Sequence, residues 1–109
     1  MPFYPDFIQC LPEADIPFPG IRGRLLQAGD HQAVFLDIDP VGELPPHAHG
    51  AQWGVVLDGE MALCIGDETR TYRKGDAYFI PAGTVHSARF PTQVKVLDLF
   101  AEPSRYRPK

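Results

Sequence analysis

Pro46-His47-Ala48-His49-Gly50-Ala51-Gln52-Trp53-Gly54 is the stretch whose reading decides the fold. A His-x-His pair presents both imidazoles on one face only where the backbone is extended, because side chains alternate across a strand. Downstream, Pro81-Ala82-Gly83-Thr84-Val85-His86 delivers another histidine after a turn-like sequence, so three of the four histidines fall in these two places. Imidazoles from separated strands, joined by a short polar side chain such as Gln52, can close around a divalent transition metal. The pattern predicts a metal site inside β-structure.

Outward from that stretch, twelve prolines and ten glycines break any helical period before it is established. The segments between them have strand length: residues 24–28, 32–38, 53–57, 60–65, 69–73, 76–80, 86–90 and 93–100. Gly66-Asp67 reads as a hairpin turn between the fourth and fifth of these. Many short strands with turn chemistry between them predict an all-β sandwich or barrel. Glu43-Leu44-Pro45-Pro46 reads as a loop stiffened by its prolines, which would hold His47 in place. At 109 residues the chain is expected to form one domain. Residues 1–20 read as an extended N-terminal arm, 21–103 as the barrel and 104–109 as a frayed basic tail.

The net charge of −4 is spread without a basic run, which argues against a nucleic-acid partner and against an anionic membrane surface. No apolar stretch reaches membrane-spanning length, and Met1-Pro2-Phe3-Tyr4-Pro5-Asp6 lacks the charged and apolar regions of a signal peptide. A cytoplasmic location is therefore expected. Cys10 and Cys64 have neither zinc-pair nor redox spacing and are expected to be reduced, mostly buried thiols.

Two ordered motifs resemble the cupin superfamily over roughly residues 30–100. The first, at 42–59, runs from Gly42 through His47-Ala48-His49 and Gln52 to Gly59; the second, at 75–90, runs from Gly75 through Pro81-Ala82-Gly83-Thr84-Val85-His86 to Phe90. Gln52, found by counting back from Gly59, stands where the family usually has Glu, and Phe90 where it often has Asn. The resemblance implies a double-stranded β-helix, or jelly-roll barrel. It also implies one divalent transition metal per chain, Fe, Mn, Ni or Zn, held by His47, His49, Gln52 and His86. A homodimer is expected from the same resemblance, with the long apolar arm covering a neighbour.

Strand alternation places Gly54 and Val56 on the inward face with Gln52, and Ala88 and Phe90 on the face of His86. A pocket with the metal at its base and small or apolar walls follows, with Gly54 leaving room beside the metal. Trp53, Tyr78, Phe79 and Phe90 read as barrel core; Tyr78 and Phe79 point opposite ways, so at most one lines a pocket. His31, in a turn-like stretch, reads as exposed. Asp98 sits in an otherwise largely apolar strand and must be paired, most simply with an arginine, or functional. Asp98, Tyr78 and Arg89 are the candidates for acid, base or substrate-orienting roles. For Gln52 the alternative to direct ligation is a hydrogen bond that orients His49.

Three imidazoles and an amide leave the metal's charge uncompensated, which favours anionic chelating ligands such as keto acids, hydroxy acids or enolates. Gln-containing cupin sites similar to this one include sugar-acid ring-opening proteins and dioxygenases. The expected function is metal-dependent chemistry of isomerase, ring-opening or dioxygenase type on a small oxygenated or sugar-derived acid. The alternatives are a non-catalytic module binding a small molecule and a metal-free barrel.

Overall fold

The computed structural model describes residues 2–40 and 43–109, so Gly42 of the first motif lies outside the described residues. One short helix, α1 (Asp6–Gln9), precedes nine strands: β1 (Ile21–Gln27), β2 (Gln32–Ile38), β3 (Glu43–His47), β4 (Gln52–Asp58), β5 (Glu60–Ile65), β6 (Glu68–Arg73), β7 (Ala77–Ile80), β8 (His86–Arg89) and β9 (Val94–Phe100). They form two antiparallel sheets, one ordered β1-β2-β9-β4-β7 and the other β3-β8-β5-β6. This is the all-β sandwich that the strand pattern predicts and the jelly roll that the family resemblance implies.

Strict alternation builds the core. Val34, Leu36 and Ile38 of β2, Val94 and Val96 of β9, Met61 and Leu63 of β5 and Ala88 of β8 all point between the sheets. Each large aliphatic or aromatic side chain buried this way contributes about 1.5–3 kcal/mol. Gly66 adopts φ 62° in the two-residue turn joining β5 to β6, a conformation that glycine adopts without steric cost.

Three local readings are corrected. Glu43–His47 is a strand, not a loop: β3 is an edge strand paired with β8 alone, where Pro45 and Pro46 remove no essential ladder donor, and its register shifts between Leu44 and His47. The C-terminal segment does not fray. Pro108 bridges Ala14, Asp15 N donates to Arg107 O, and Tyr106 is buried against Gln32. Neither cysteine is buried: Cys10 is exposed, Cys64 is half-buried, and both are free.

The N-terminal arm folds onto its own barrel. Glu13 bridges Arg24, Leu25 N donates to Pro12 O, and the Tyr4 hydroxyl donates to Leu36 O at 2.6 Å.

Candidate metal centre and acid pocket

The three histidines arrive from three places and meet. His47 ends β3, His49 lies on the crossover to β4, and His86 opens β8. The crossover is tied to the turn before β8, because Gly83 N donates to His49 O at 2.9 Å. One ring nitrogen from each histidine lies within 4.8 Å of the other two, forming a cluster that can hold a metal ion.

Their tautomers follow from their partners. Nδ1 of His47, His49 and His86 lies 2.8, 2.8 and 2.9 Å from the carbonyls of Pro45, Gly50 and Thr84. A carbonyl can only accept, so each Nδ1 carries the hydrogen and each neutral ring offers the Nε2 lone pair. Burial, above all, lowers all three pKa values, that of His49 to about 4, so the neutral forms prevail near pH 7.

Nε2 of His49 and Nε2 of His86 then face each other at 3.1 Å with two lone pairs and no hydrogen between them. That repulsive arrangement becomes favourable with a cation at the meeting point. The donor set therefore fits a transition metal, and the Nδ1 contacts provide the outer hydrogen bonds such ligands need. Glu102 adds to this shell: its Oε1 accepts from Gly50 N at 3.1 Å and lies 3.7 Å from His49 Nδ1.

Gln52 opens β4 and lines the same cavity. Two residues further along β4, Gly54 is flanked in register by Asp98 on β9 and Tyr78 on β7, the strands on either side. With no side chain on the middle strand they reach across it, and the Tyr78 hydroxyl donates to Asp98 Oδ1 at 2.5 Å. Asp98 is thus paired with a tyrosine rather than an arginine. Burial pushes its carboxyl up to about 6, although Tyr78, Gln52 and the charge of Arg105 pull the other way. Tyr78 is driven well above its ordinary value, first by burial and then by the adjacent Asp98.

The cavity is about 50 Å³, room for a handful of water-sized groups, and it holds the three histidines, Gln52 and Asp98 between apolar walls that include Met61, Leu63, Ala88, Phe90 and Phe100. Gly54 and Val56 face inward but do not line it. The space above Gly54 is filled by the Asp98 carboxylate and the Tyr78 ring, which a Cβ would strike, and Val56 is packed into the apolar core. Arg89 is exposed on the opposite face of β8, beside Glu43 and Ala62, and is excluded from the site. His31 is exposed and contacts Asp30.

Arg105 is the residue that the sequence reading missed. It lines the cavity from the C-terminal segment, its guanidinium 4.4 Å from the Tyr106 ring centroid and 5.9 Å from that of Phe100. Its Nε is buried and has no hydrogen-bond partner among the described residues. Nothing local in Ser104-Arg105-Tyr106-Arg107 marks Arg105 above Arg107. No helix among the described residues is long and apolar enough to cross a membrane.

Comparison with known proteins agrees with this fold. KdgF from Halomonas sp. is similar at 30% identity, with a TM-score of 0.75 over 84% of this chain and 88% of that one. An RmlC-like cupin from Shewanella frigidimarina is similar at 27% identity, TM-score 0.77, over 86% of both chains. A Bacillus subtilis protein named H2HPP isomerase is 31% identical over 80 residues, 72% of this chain but 34% of its own, so the chain spans about a third of that curated relative. The family described as Cupin domain matches residues 34–100, and the chain belongs to the cupin family.

Proposed function

We propose that the chain is a metal-dependent enzyme that moves a proton on a small oxygenated or sugar-derived organic acid, an isomerase-type reaction. The observation that carries this reading is the buried Asp98 carboxyl, held by Tyr78 in the same small cavity as the three histidines. A buried carboxyl held beside a Lewis-acid site is the arrangement that a proton transfer needs. The relative named as an isomerase is consistent with it.

His47, His49 and His86 would hold the metal, with Gln52 as its further ligand. When bound, the metal supplies Lewis acidity toward a substrate oxygen. The remaining roles belong to this chain's own side chains. Arg105, with an unpartnered buried N–H, would take the substrate carboxylate and orient it. Asp98 would accept a proton from carbon on one side and return it on another, with Tyr78 keeping the carboxyl aimed. The apolar walls exclude bulk water from the proton in transit.

The test is twofold. Elemental analysis of untagged protein is expected to show near one equivalent of a transition metal, lost in His47→Ala/His49→Ala. The protein is then incubated in D₂O with a panel of keto, hydroxy and sugar acids and followed by NMR. Metal-dependent deuterium incorporation is expected, and Asp98→Asn should lower it by at least a hundredfold while keeping the metal. Acid binding without exchange across the panel would leave a binding module in place of an enzyme.

A further inference from the structure

The cavity is polar at one end only. In the four-stranded sheet the inward side chains run from His47 and His86 to Ala88 and Leu63, and then to Phe90 and Met61. In the five-stranded sheet the same progression runs from Gln52 and Phe100 to Asp98 and Tyr78, and then to Val96 and Leu36. Trp53 and Phe79, expected in the core, alternate with Gln52, Gly54, Tyr78 and Ile80 and stand on the outside, 44% and 59% exposed, so they add nothing to either end. Past Asp98 and Tyr78, every described side chain that lines the cavity lacks nitrogen and oxygen. The backbone polar groups there point along the sheets into their ladders rather than into the cavity. A hydroxyl or a carboxylate placed at that end would lose its water and gain no partner. At the polar end Arg105 is the one cation among the described lining residues, and its buried Nε has no partner. It can neutralise one carboxylate.

Building on the proton-transfer reading above, on which it rests, we propose that the site takes a 2-oxo monocarboxylic acid with a short, unsubstituted hydrocarbon tail, and rejects sugar-derived and dicarboxylic acids. The order of groups along the cavity sets the order of atoms in the ligand. Its carboxylate lies toward Arg105, its C2 oxygen toward the histidines, its C3 beside Asp98, and its tail among Leu63, Ala88, Phe90 and Met61. A carbonyl at C2 makes a C3 hydrogen acidic, because it can take the electron pair left behind; a 2-hydroxy acid has no such hydrogen at C3. The volume of about 50 Å³ limits the tail to a few carbons. Ala88 is the smallest of the lining side chains and sits in register with Leu44 and Leu63, so it leaves the room that the tail uses.

Titration calorimetry on the purified full chain, with its metal content measured, compares acids that differ only in the tail. 2-Oxopentanoate is expected to bind about tenfold tighter than pyruvate, which lacks the last two carbons, and about tenfold tighter than 4-hydroxy-2-oxobutanoate, in which a hydroxyl replaces the terminal methyl. 2-Oxoglutarate, which carries a carboxylate in place of that methyl, is expected to bind at least about a hundredfold more weakly. Equal or tighter binding of the hydroxylated acid or of the dicarboxylate, or no binding of any of the four, overturns the proposal. Ala88→Val, folded by circular dichroism, should weaken 2-oxopentanoate about tenfold and leave pyruvate unchanged. Unchanged 2-oxopentanoate binding in the folded variant puts the tail elsewhere and overturns the assignment as well. Exchange of the C3 hydrogens in D₂O, followed by NMR on the same samples, separates this proposal from the reading beneath it. Binding in the expected order without metal-dependent exchange sinks the enzyme reading and keeps the ligand class. Exchange that is fastest for the hydroxylated or dicarboxylic acid keeps the enzyme reading and sinks the ligand class.

Discussion

Asp37 and Asp98 lie on adjacent strands, face opposite ways, and show how environment alone sets the chemistry of one residue type. Asp98 points into the sandwich, where burial raises its carboxyl to about 6. Asp37 points outward, and although partial burial works to raise it, hydrogen bonds from Lys95, Gln93 and Arg22 outweigh that and hold it below the usual carboxylate range. A carboxyl depressed in the folded state contributes stability above its unfolded value, and the contribution disappears as pH falls through the folded one. Asp37→Asn is therefore expected to cost about 1 kcal/mol near neutral pH. Urea denaturation should show the gap between variant and wild type closing below about pH 4. A gap that persists unchanged at pH 2 would mean that the ion pairs are not its source.

At the scale of the element, β4 positions the site by what it omits. Gly54 lies between Asp98 and Tyr78 in register, and a Cβ there would overlap both side chains. Gly54→Ala, the smallest possible addition, should cost about 1–3 kcal/mol and separate Tyr78 from Asp98. Denaturation midpoints and the near-ultraviolet tyrosine signal measure the two effects. An alanine variant with wild-type stability and signal would show that the pair can shift aside without cost. β3 shows the converse: its two prolines make the strand invisible to pattern, yet as an edge strand it needs only one side of its backbone to carry His47 to β8.

For the whole molecule, the decisive contact joins the chain's end to β2. Gln32, 1% exposed, accepts from Tyr106 N at 3.0 Å and donates to Tyr106 O at 2.8 Å, pairing both sides of one residue as a strand would. This clamp seats Arg105 at the cavity and closes the barrel with Tyr106. Gln32→Leu keeps the volume but strands both backbone groups of Tyr106, at an expected cost of about 2–3 kcal/mol. Hydrogen exchange should show the loss of Tyr106 amide protection before the core strands lose theirs. Equal protection in both proteins would mean that the Ala14–Pro108 bridge holds the segment unaided.

Periodicity and turn chemistry determined the fold class and nearly every strand, because alternation is a property of neighbouring residues and survives in any tertiary context. The two ordered motifs, through their resemblance to the cupin family, likewise pointed to His47, His49 and His86 as one cluster, and the structure brings them together. The tertiary structure alone decided the rest. Trp53 and Phe79 turned outward because the inner face already held Gln52, Gly54 and Tyr78. Asp98 found a tyrosine because the glycine between them left the path open. Arg105, one cation among several near the chain's end, became part of the cavity through a contact with Gln32 that spans nearly the whole sequence. Such long-range pairings depend on where strands come to rest, and no local pattern records them.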